Sequence, residues 1–174
     1  MTIEKKGIVL VGHGGVPSDC PDHYISRLKR LEGQRRKLNL APSDEELAVD
    51  KVIREWPRTK QTDPYKAGLE AVAKNLKPLL EECDLEVAYN EFCSPTIKEA
   101  VRILIENGNN NITIICTMFT PGGSHSEIEI PEVVSDLKEM FPNIKINYAW
   151  PFDLEHVAGF LRGHLLKHLE QKEE

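Results

Sequence analysis

No stretch of apolar residues in this sequence approaches the length that a membrane span requires, roughly 18 residues. The four cysteines also lack a pattern, since Cys20, Cys83, Cys93 and Cys116 show no C-x-x-C spacing. A chain of 174 residues can bury a hydrophobic core large enough to fold without disulfides. We therefore expect a cytoplasmic protein with reduced thiols and no membrane-spanning segment.

Positive charge and nucleotide-binding motifs are scarce as well. Lysine and arginine number 22 against 28 acidic residues, and the net charge of −6 argues against nucleic-acid binding. Neither G-x-G-x-x-G nor G-x-x-x-x-G-K-[ST] occurs, so the glycine-rich turn after the first apolar run lacks the motifs that cradle phosphates. We expect no nucleotide cofactor and no nucleic-acid partner.

What the sequence does contain is a regular alternation of strand-like and helix-like segments. The predicted strands cover residues 7–12, 85–92, 111–119 and 144–149. The predicted helices cover residues 64–82, a segment from Ser94-Pro95 to Gly108, about 131–141 and about 154–171. Near-continuous apolar strands are typical of a parallel sheet, and right-handed crossovers place helices on both of its faces. The sequence predicts a single α/β domain over 1–174, a three-layer α/β/α sandwich with a four-stranded parallel sheet.

One segment interrupts this alternation. Residues 16–63 separate the first strand from its crossover helix, although such connections usually have about 2–6 residues. The segment contains one helical pattern over about 22–38 and a second that begins at Ser43, where Glu46 completes a capping box. We expect a helical insertion beside the carboxyl end of the first strand, acting either as a lid on a ligand site or as a dimer contact.

Two histidines next to glycines follow two of the apolar strands. His13 follows the first strand and precedes Gly14, and His125 follows the third strand after a glycine-rich loop. Ligands bind at the carboxyl ends of parallel strands, and imidazole is the commonest metal ligand among side chains. Glu91 ends the second strand, where a buried carboxylate needs a partner. Two imidazoles and a carboxylate suit a divalent first-row metal ion.

Several of these polar residues also have a purely structural explanation. A single histidine such as His13 is more often a hydrogen-bonded turn residue than a ligand. Glu127 lies near a helix start, where the helix dipole favours a carboxylate, and the role of Glu129 is left open. His164 and His168 share a helix face at a spacing that can bind metal, but a solvated amphipathic helix is the simpler explanation.

The first helix of the predicted insertion is strongly basic. If it faces the ligand site, its arginines are suited to binding substrate carboxylates, and a solvated helix face explains them equally well. Glu32 is the acidic residue among them. The basic residues are Arg27, Lys29, Arg30, Arg35, Arg36 and Lys37.

Three short segments resemble the class II chelatases, the group of sirohydrochlorin cobaltochelatases, nickelochelatases and ferrochelatases. They are residues 10–14 (LVGHG), 90–95 (NEFCSP) and 119–125 (FTPGGSH), followed by Ile130-Pro131. The resemblance covers most of the chain outside residues 16–63. Glu129 stands where this family usually has an aspartate, and compact members have a much shorter connection after the first strand.

This resemblance implies a cytoplasmic lyase that inserts Co²⁺, Ni²⁺ or Fe²⁺ into sirohydrochlorin or a related tetrapyrrole without ATP, in cobalamin or siroheme biosynthesis. The metal ion would be a substrate, and the protein would be a homodimer. His13 and His125 would hold the ion, and Glu91 would assist them or accept pyrrole protons. Further ligand contacts are expected at Gly14, Gly122, Gly123 and Ser124.

Two other functions remain open from the residues alone. One is a non-catalytic carrier of a metal ion or a tetrapyrrole on the same scaffold. The other is a metal-assisted hydrolase, which would also use two histidines and a carboxylate around an activated water. The hydrolase is less favoured because the sequence lacks the further ligand-spaced histidines and aspartates of such sites.

Overall fold

The computed structural model describes residues 4–170, which alternate between strands and helices. The strands are β1 (Lys6–Gly12), β2 (Asp84–Tyr89), β3 (Asn111–Cys116) and β4 (Lys145–Tyr148). The α-helices are α1 (Asp22–Leu38), α2 (Asp44–Arg54), α3 (Pro64–Leu76), α4 (Ile97–Glu106), α5 (Ile130–Met140) and α6 (Leu154–Glu170). Gln171, the predicted end of the last helix, lies outside the described residues.

The four strands form one parallel sheet in the order β2-β1-β3-β4. Side chains alternate between its two faces. Val9, Ile112 and Ile114 point to the face that α4 and α5 cover, and together these elements form the main hydrophobic core. Leu10 points to the other face, where it packs against Leu69 of α3. The predicted α/β sandwich with a four-stranded parallel sheet is confirmed.

Two strands end earlier than their apolar patterns predict. β2 ends at Tyr89, and β3 is likewise shorter than predicted. After β2 the backbone turns tightly, because Phe92 has a positive φ of 56° and the Cys93 N–H donates to the Glu91 carbonyl at 2.7 Å. The apolar side chain of Phe92 extended the pattern past the point where the backbone leaves the sheet. Asn90 and Glu91 therefore lie on a loop at the rim.

Two helices also differ from their predicted bounds. The helix predicted over 64–82 is α3 followed by a short 3₁₀ turn at Lys77–Leu79. Pro78 lies in that turn, and since proline has no N–H it interrupts the α-helical hydrogen bonds. A π-helical turn at His125–Glu129 precedes α5, so the chain becomes helical several residues before the predicted start.

The helices α1 and α2 form a hairpin in the connection between β1 and α3, and they pack on each other around Ile53. Ser43 caps α2 by accepting a hydrogen bond from the Glu46 N–H at 3.1 Å. The Glu46 carboxylate accepts from Arg35 at 2.8 Å instead of returning to Ser43, so half of the predicted capping box forms. The organisation as one domain with an insertion at about 16–63 stays a prediction.

One buried arginine ties this hairpin to the loops at the rim of the sheet. The side chain of Arg58 is 7% exposed; it pairs with Asp63 and donates to the carbonyls of Gly15, Ile53 and Phe92. These partners belong to the N-cap of α3, the loop after β1, the end of α2 and the loop after β2. The position of the hairpin is thereby coupled to two of the loops that follow strands.

The C-terminal helix α6 is exposed along its length. From Leu154 to Leu169 no residue is buried, and Val157 is the one that is half-buried. Within residues 4–170 no helix combines the length and the apolar character needed to cross a bilayer.

Candidate metal centre

The loops that follow β1 and β2 are held side by side by backbone hydrogen bonds. The Asn90 N–H donates to the Gly12 carbonyl at 2.9 Å, and the Glu91 N–H donates to the His13 carbonyl at 2.8 Å. Gly14 has a φ of 94°, and a Cβ at this position would lie 1.8 Å from the Glu91 carbonyl oxygen. Only glycine fits there, and its small size lets the two loops meet.

The π-helical turn after the β3 loop brings in the third predicted ligand. His125 is the first residue of the turn. Gly122 has a φ of 91°, and its N–H donates to the Glu127 carboxylate at 2.8 Å. Glu127 thus holds the loop in shape. The turn places the His125 ring edge-to-face against the His13 ring, with ring centroids 4.8 Å apart.

The three predicted ligands lie together at the rim of the sheet. One ligand atom from each of His13, Glu91 and His125 lies within 4.8 Å of the other two, and His13 Nε2 is 3.8 Å from Glu91 Oε2. Two ligand atoms that are each about 2.1 Å from one ion are at most about 4.2 Å apart. The cluster would therefore contract slightly around a bound ion, and its side chains are partly exposed, so a ligand can reach it.

Hydrogen bonds leave the Nε2 lone pair of each imidazole available for coordination. His13 Nδ1 is 2.8 Å from the Gly14 carbonyl, which can only accept, so Nδ1 carries the proton. His125 Nδ1 lies 2.8 Å from the Glu129 carboxylate, which can only accept, and 3.0 Å from Asn90 Nδ2, which can only donate. We assign the proton to Nδ1 because the contact with the charged carboxylate is the shorter one and because Asn90 Nδ2 has the same carboxylate as its acceptor. A carboxylate that accepts from the second nitrogen of a histidine orients the ring and makes it a stronger ligand.

Glu129, whose role was open from the sequence, contacts His125 and lies outside the three-residue cluster. Asn90 Nδ2 donates to the same carboxylate oxygen at 2.9 Å. Partial burial alone would raise the pKa of Glu129, but the hydrogen bonds from His125 and Asn90 and the charge of Arg36 hold that pKa below its ordinary value. Sequence reasoning did not assign Asn90 a role, although it stands next to Glu91 in the NEFCSP segment.

Two recesses flank the segment that carries His125. The first, about 440 Å³, lies between the hairpin and the π-helical turn, and both Arg36 and Ser124 line it. The second, about 370 Å³, lies beside the loop after β3 and is lined by Phe119 and Gly123. Both volumes are within the range of ligand pockets, about 300–1,000 Å³. The predicted contacts Gly123 and Ser124 therefore face recesses on either side of the candidate metal centre.

Of the basic residues that the sequence analysis singled out in α1, only Arg35 and Arg36 line the first recess. Arg35 lines it, but its guanidinium is hydrogen-bonded to Glu46. Arg36 is exposed, and its guanidinium is 4.0 Å from Glu129. The side chains of the sequence-predicted basic group that do not line this recess are Arg27, Lys29, Arg30 and Lys37.

An acidic side chain of the hairpin also faces the centre. Glu32 lines the first recess together with Glu91. Partial burial, and after it the negative charge of Glu91, raises the pKa of the Glu32 carboxyl above its ordinary value. Negative charge that is concentrated in this way favours the approach of a cation.

The remaining candidates of the sequence analysis lie elsewhere. Tyr24 and Trp56 pack within the hairpin, with ring centroids 6.1 Å apart. His164 and His168 meet edge-to-face on α6, outside the cluster of three. Tyr65 was not predicted as a contact, and its hydroxyl accepts a 2.7 Å hydrogen bond from the backbone N–H of His13.

Comparison with known proteins gives matches to one family. The sequence profile of the CbiX family matches residues 60–159. The chain is 32% identical over 94 residues to a sirohydrochlorin ferrochelatase of Priestia megaterium, and 27% identical over 74 residues to a sirohydrochlorin cobaltochelatase of the same organism. These alignments cover 53% and 42% of this chain, but 33% and 24% of the relatives. The chain thus spans a third or less of the length of these curated relatives.

Two solved structures share the fold at low sequence identity. SirB from Bacillus subtilis subspecies spizizenii, a sirohydrochlorin chelatase solved in complex with cobalt, matches with a TM-score of 0.50 and 18% identity, over 84% of this chain and 43% of its own. A protein named as a cobalamin (vitamin B12) biosynthesis CbiX protein, from Marinobacter aquaeolei VT8, matches with a TM-score of 0.58 and 15% identity, over 95% of this chain and 98% of its own. The predicted chelatase-like fold is therefore confirmed.

Proposed function

The chain belongs to the CbiX family, and on that premise we propose that it is a class II chelatase, which inserts a divalent metal ion into sirohydrochlorin or a related tetrapyrrole without ATP. The observation that carries this proposal is the cluster of His13, Glu91 and His125 at the carboxyl ends of three strands. Such a cluster has too few protein ligands to enclose an ion, so positions stay open for the nitrogens of a macrocycle.

Metal insertion exchanges a dication for two pyrrole protons, and the cluster contains groups for both tasks. His13 and His125 present Nε2 lone pairs to the ion and replace part of its water shell. The Glu91 carboxylate, whose Oε2 is 3.8 Å from His13 Nε2, neutralises part of the metal charge and can accept a pyrrole proton of the macrocycle. Because Glu91 is partly exposed, it can release this first proton to solvent and then accept the second. We assign proton acceptance to Glu91 because both imidazoles are engaged in holding the ion.

We propose that the two recesses bind different parts of the macrocycle. Sirohydrochlorin carries many carboxylates, and the exposed guanidinium of Arg36 at the first recess can bind one of them bidentately. Met118 and Phe119 line the second recess with apolar surface that suits the ring carbons. Gly123 and Ser124 add little bulk between the recesses, which allows a flat ligand to approach the cluster.

We further propose cobalt as the first metal to test and cobalamin biosynthesis as the pathway, with iron and nickel as the other substrates of the same chemistry. One curated relative is named for cobalt and the other for iron, so similarity supports both metals. The donor set, two nitrogens and one oxygen, accepts any of the three divalent ions. We also propose a homodimer, and a cytoplasmic location consistent with the free thiols of all four cysteines.

The test is a spectroscopic assay with sirohydrochlorin and Co²⁺. The protein should accelerate the absorbance change of metal insertion over the rate without protein. His125→Ala should slow the catalysed reaction by about a hundredfold or more, the usual size of the loss when a group at the reacting centre is removed. His156→Ala, which removes an exposed imidazole from α6, is the matched control and should retain wild-type activity.

Two results would contradict the proposal. Full activity of the His125→Ala variant would exclude the proposed centre. Tight binding of the pigment by the wild-type protein without any acceleration, with Co²⁺, Ni²⁺ or Fe²⁺, would identify a carrier rather than an enzyme.

A further inference from the structure

The segment that carries Glu91 forms a turn that a bulky residue rarely adopts. Phe92 has a φ of 56°, and the Cys93 N–H closes the turn on the Glu91 carbonyl at 2.7 Å. A residue with a side chain seldom takes a positive φ, because its Cβ crowds the backbone. Such a conformation persists where the surroundings hold it, and it is found mainly at functional sites. The direction of the Glu91 side chain therefore depends on the contacts that hold this segment, residues 90–93, which we call the Phe92 turn.

Arg54, the last residue of α2, holds both ends of the Phe92 turn. Its Nη2 donates to the Asn90 carbonyl at 3.2 Å, and its Nη1 donates to the Cys93 carbonyl at 3.0 Å. One planar guanidinium thus spans the turn from the residue before Glu91 to the residue after Phe92. The side chain of Arg54 is 16% exposed, so water competes little for these two contacts.

Asp50 fixes the orientation of this guanidinium. It lies one helical turn earlier on α2, and its carboxylate accepts from Arg54 Nε at 2.6 Å. The Nε, Nη1 and Nη2 donors of an arginine lie in one plane, so a fixed Nε also fixes the directions of the other two. A lysine in this place would present a single ammonium without the planar fork. The contact therefore depends on the shape of the guanidinium as well as on its charge.

Arg54 and Arg58 hold different parts of the Phe92 turn. Arg58 donates to the Phe92 carbonyl in the middle of the turn, and its ion-pair partner Asp63 is almost fully buried. The partner of Arg54 is Asp50, whose side chain is 29% exposed. Loss of Arg54 consequently leaves a carboxylate that water can solvate, and it should disturb the turn at a smaller cost to the fold than loss of Arg58.

The other side of the Phe92 turn is attached to the loop after β1. The Asn90 N–H donates to the Gly12 carbonyl, and the Glu91 N–H donates to the His13 carbonyl. Glu91 Oε2 lies 3.8 Å from His13 Nε2. The hydrogen bonds on the β1 side fix where Glu91 lies, and the contacts of Arg54 on the α2 side fix how the chain continues from it.

We propose that Arg54, oriented by Asp50, is a positioning residue that directs the Glu91 carboxylate towards the metal ion. The inference rests on the metal centre of the proposed function and adds a residue of the hairpin to it. In this role Arg54 acts through the backbone of the Phe92 turn rather than by contact with the ion or the macrocycle. The hairpin thereby contributes to the metal affinity of the centre, besides lining the first recess.

Titration of Co²⁺ followed by visible absorbance tests this role. Arg54→Met removes the fork of donors and should weaken Co²⁺ binding by about tenfold or more, the usual cost of losing a residue that orients a metal ligand. The Co²⁺ spectrum of this variant should approach that of Glu91→Gln, because the carboxylate is no longer held on the ion. Wild-type affinity of the Arg54→Met protein would overturn the proposal.

The matched control is Arg27→Met, in the same hairpin. Arg27 Nε is paired with the Glu45 carboxylate at 2.8 Å, and both side chains are exposed. This substitution also breaks an arginine–carboxylate pair of the hairpin, and it should leave the Co²⁺ affinity and spectrum unchanged. An equal loss in the control would mean that the affinity follows the stability of the hairpin, and the assignment to Arg54 would be wrong.

Combination with Glu91→Gln tests whether Arg54 acts through Glu91. In the Glu91→Gln background, Arg54→Met should change the remaining Co²⁺ affinity by no more than about twofold, the usual error of such a comparison. A tenfold loss in that background would show that Arg54 acts through another group, and the positioning of Glu91 would be wrong.

Arg54→Lys keeps the positive charge without the planar fork. It should lose as much Co²⁺ affinity as Arg54→Met, because one ammonium cannot span both carbonyls of the turn. Wild-type affinity of the lysine variant would show that charge alone is sufficient and would overturn the role of the fork. If circular dichroism shows that Arg54→Met does not fold, the lysine variant serves for the same comparisons.

The titrations use Co²⁺ alone, so their outcome is distinguishable from that of the proposed function. A wild-type protein that binds Co²⁺ and shows the expected losses, but does not insert metal, would contradict only the chelatase. A protein that inserts metal and keeps wild-type affinity in the Arg54→Met variant would contradict only the positioning role. Failure of the wild-type protein to bind Co²⁺ would contradict both.

Discussion

Glu129 and Asn90 determine which nitrogen of His125 can meet a metal ion. The carboxylate accepts from His125 Nδ1 at 2.8 Å, and Asn90 holds that carboxylate from the other side at 2.9 Å. Because an ionised carboxylate cannot donate, the proton is on Nδ1 and the lone pair is on Nε2. The depressed pKa of Glu129 keeps this carboxylate ionised at neutral pH.

We predict that Glu129→Gln weakens Co²⁺ binding by about tenfold or more, the usual cost of losing a carboxylate partner of a ligand histidine. The amide keeps the side-chain length but accepts a weaker hydrogen bond from Nδ1. Titration of Co²⁺ followed by visible absorbance measures the affinity. Glu127→Gln is the control, since Glu127 bonds to the Gly122 N–H rather than to a histidine. Equal affinity of the Glu129→Gln and wild-type proteins would exclude this orienting role.

At the residue scale, some members of the centre could be predicted from the sequence. His13, Glu91 and His125 each follow an apolar strand, and the carboxyl ends of parallel strands meet at one rim, so their proximity follows from the fold. The role of Asn90 does not follow, because it depends on a π-helical turn that brings Glu129 within reach. No local sequence pattern specifies that turn.

At the scale of elements, the hairpin of α1 and α2 is attached to the sheet through Arg58. This guanidinium pairs with Asp63 and donates to three backbone carbonyls, including that of Phe92 in the loop that carries Glu91. Both charged side chains are almost fully buried. A buried pair of this kind is strongly destabilising when only one partner is removed, because the other charge stays buried.

We predict that Arg58→Met lowers the free energy of unfolding by about 3–5 kcal/mol, because it leaves the Asp63 carboxylate buried without its partner. Urea denaturation followed by circular dichroism measures the change. Lys60→Met, two residues along the chain and exposed, is the control and should change the stability by less than about 0.5 kcal/mol. A loss for Arg58→Met as small as that of the control would mean that the contact contributes little to stability.

Helices and strands could be predicted where the local sequence pattern determines them. They could not be predicted in detail where a residue distant in sequence competes for the same hydrogen bond. The near-continuous apolar runs predicted every strand of the described sheet, with β2 and β3 somewhat too long. Ser43 and Glu46 have the spacing of a capping box, yet the Glu46 carboxylate accepts its hydrogen bond from Arg35 of the preceding helix. Such competition depends on how α1 packs against α2, which a local pattern does not contain.

At the scale of the whole molecule, the proposed homodimer links stability to protein concentration. We predict that the midpoint of thermal unfolding of the wild-type protein rises with protein concentration, because association stabilises the folded chain by mass action. Scanning calorimetry over about a hundredfold range of protein concentration measures the midpoint. A wild-type midpoint that does not move with concentration would contradict the homodimer.

The apolar face of α6 could be read from the sequence, but its exposure could not. A helical pattern identifies the side of a helix that avoids water and leaves open which surface covers it.

The contacts of Arg58 also make the connection between β1 and α3 a support for the neighbouring loops. A shortened protein that joined β1 directly to α3 would lose a side wall of the centre, and with it the guanidinium that holds the Gly15 and Phe92 carbonyls in place. The loops that carry His13 and Glu91 would keep the backbone hydrogen bonds between them but would lose the contacts with Arg58. The long connection between β1 and α3 therefore stabilises the loops on which two of the three candidate metal ligands lie.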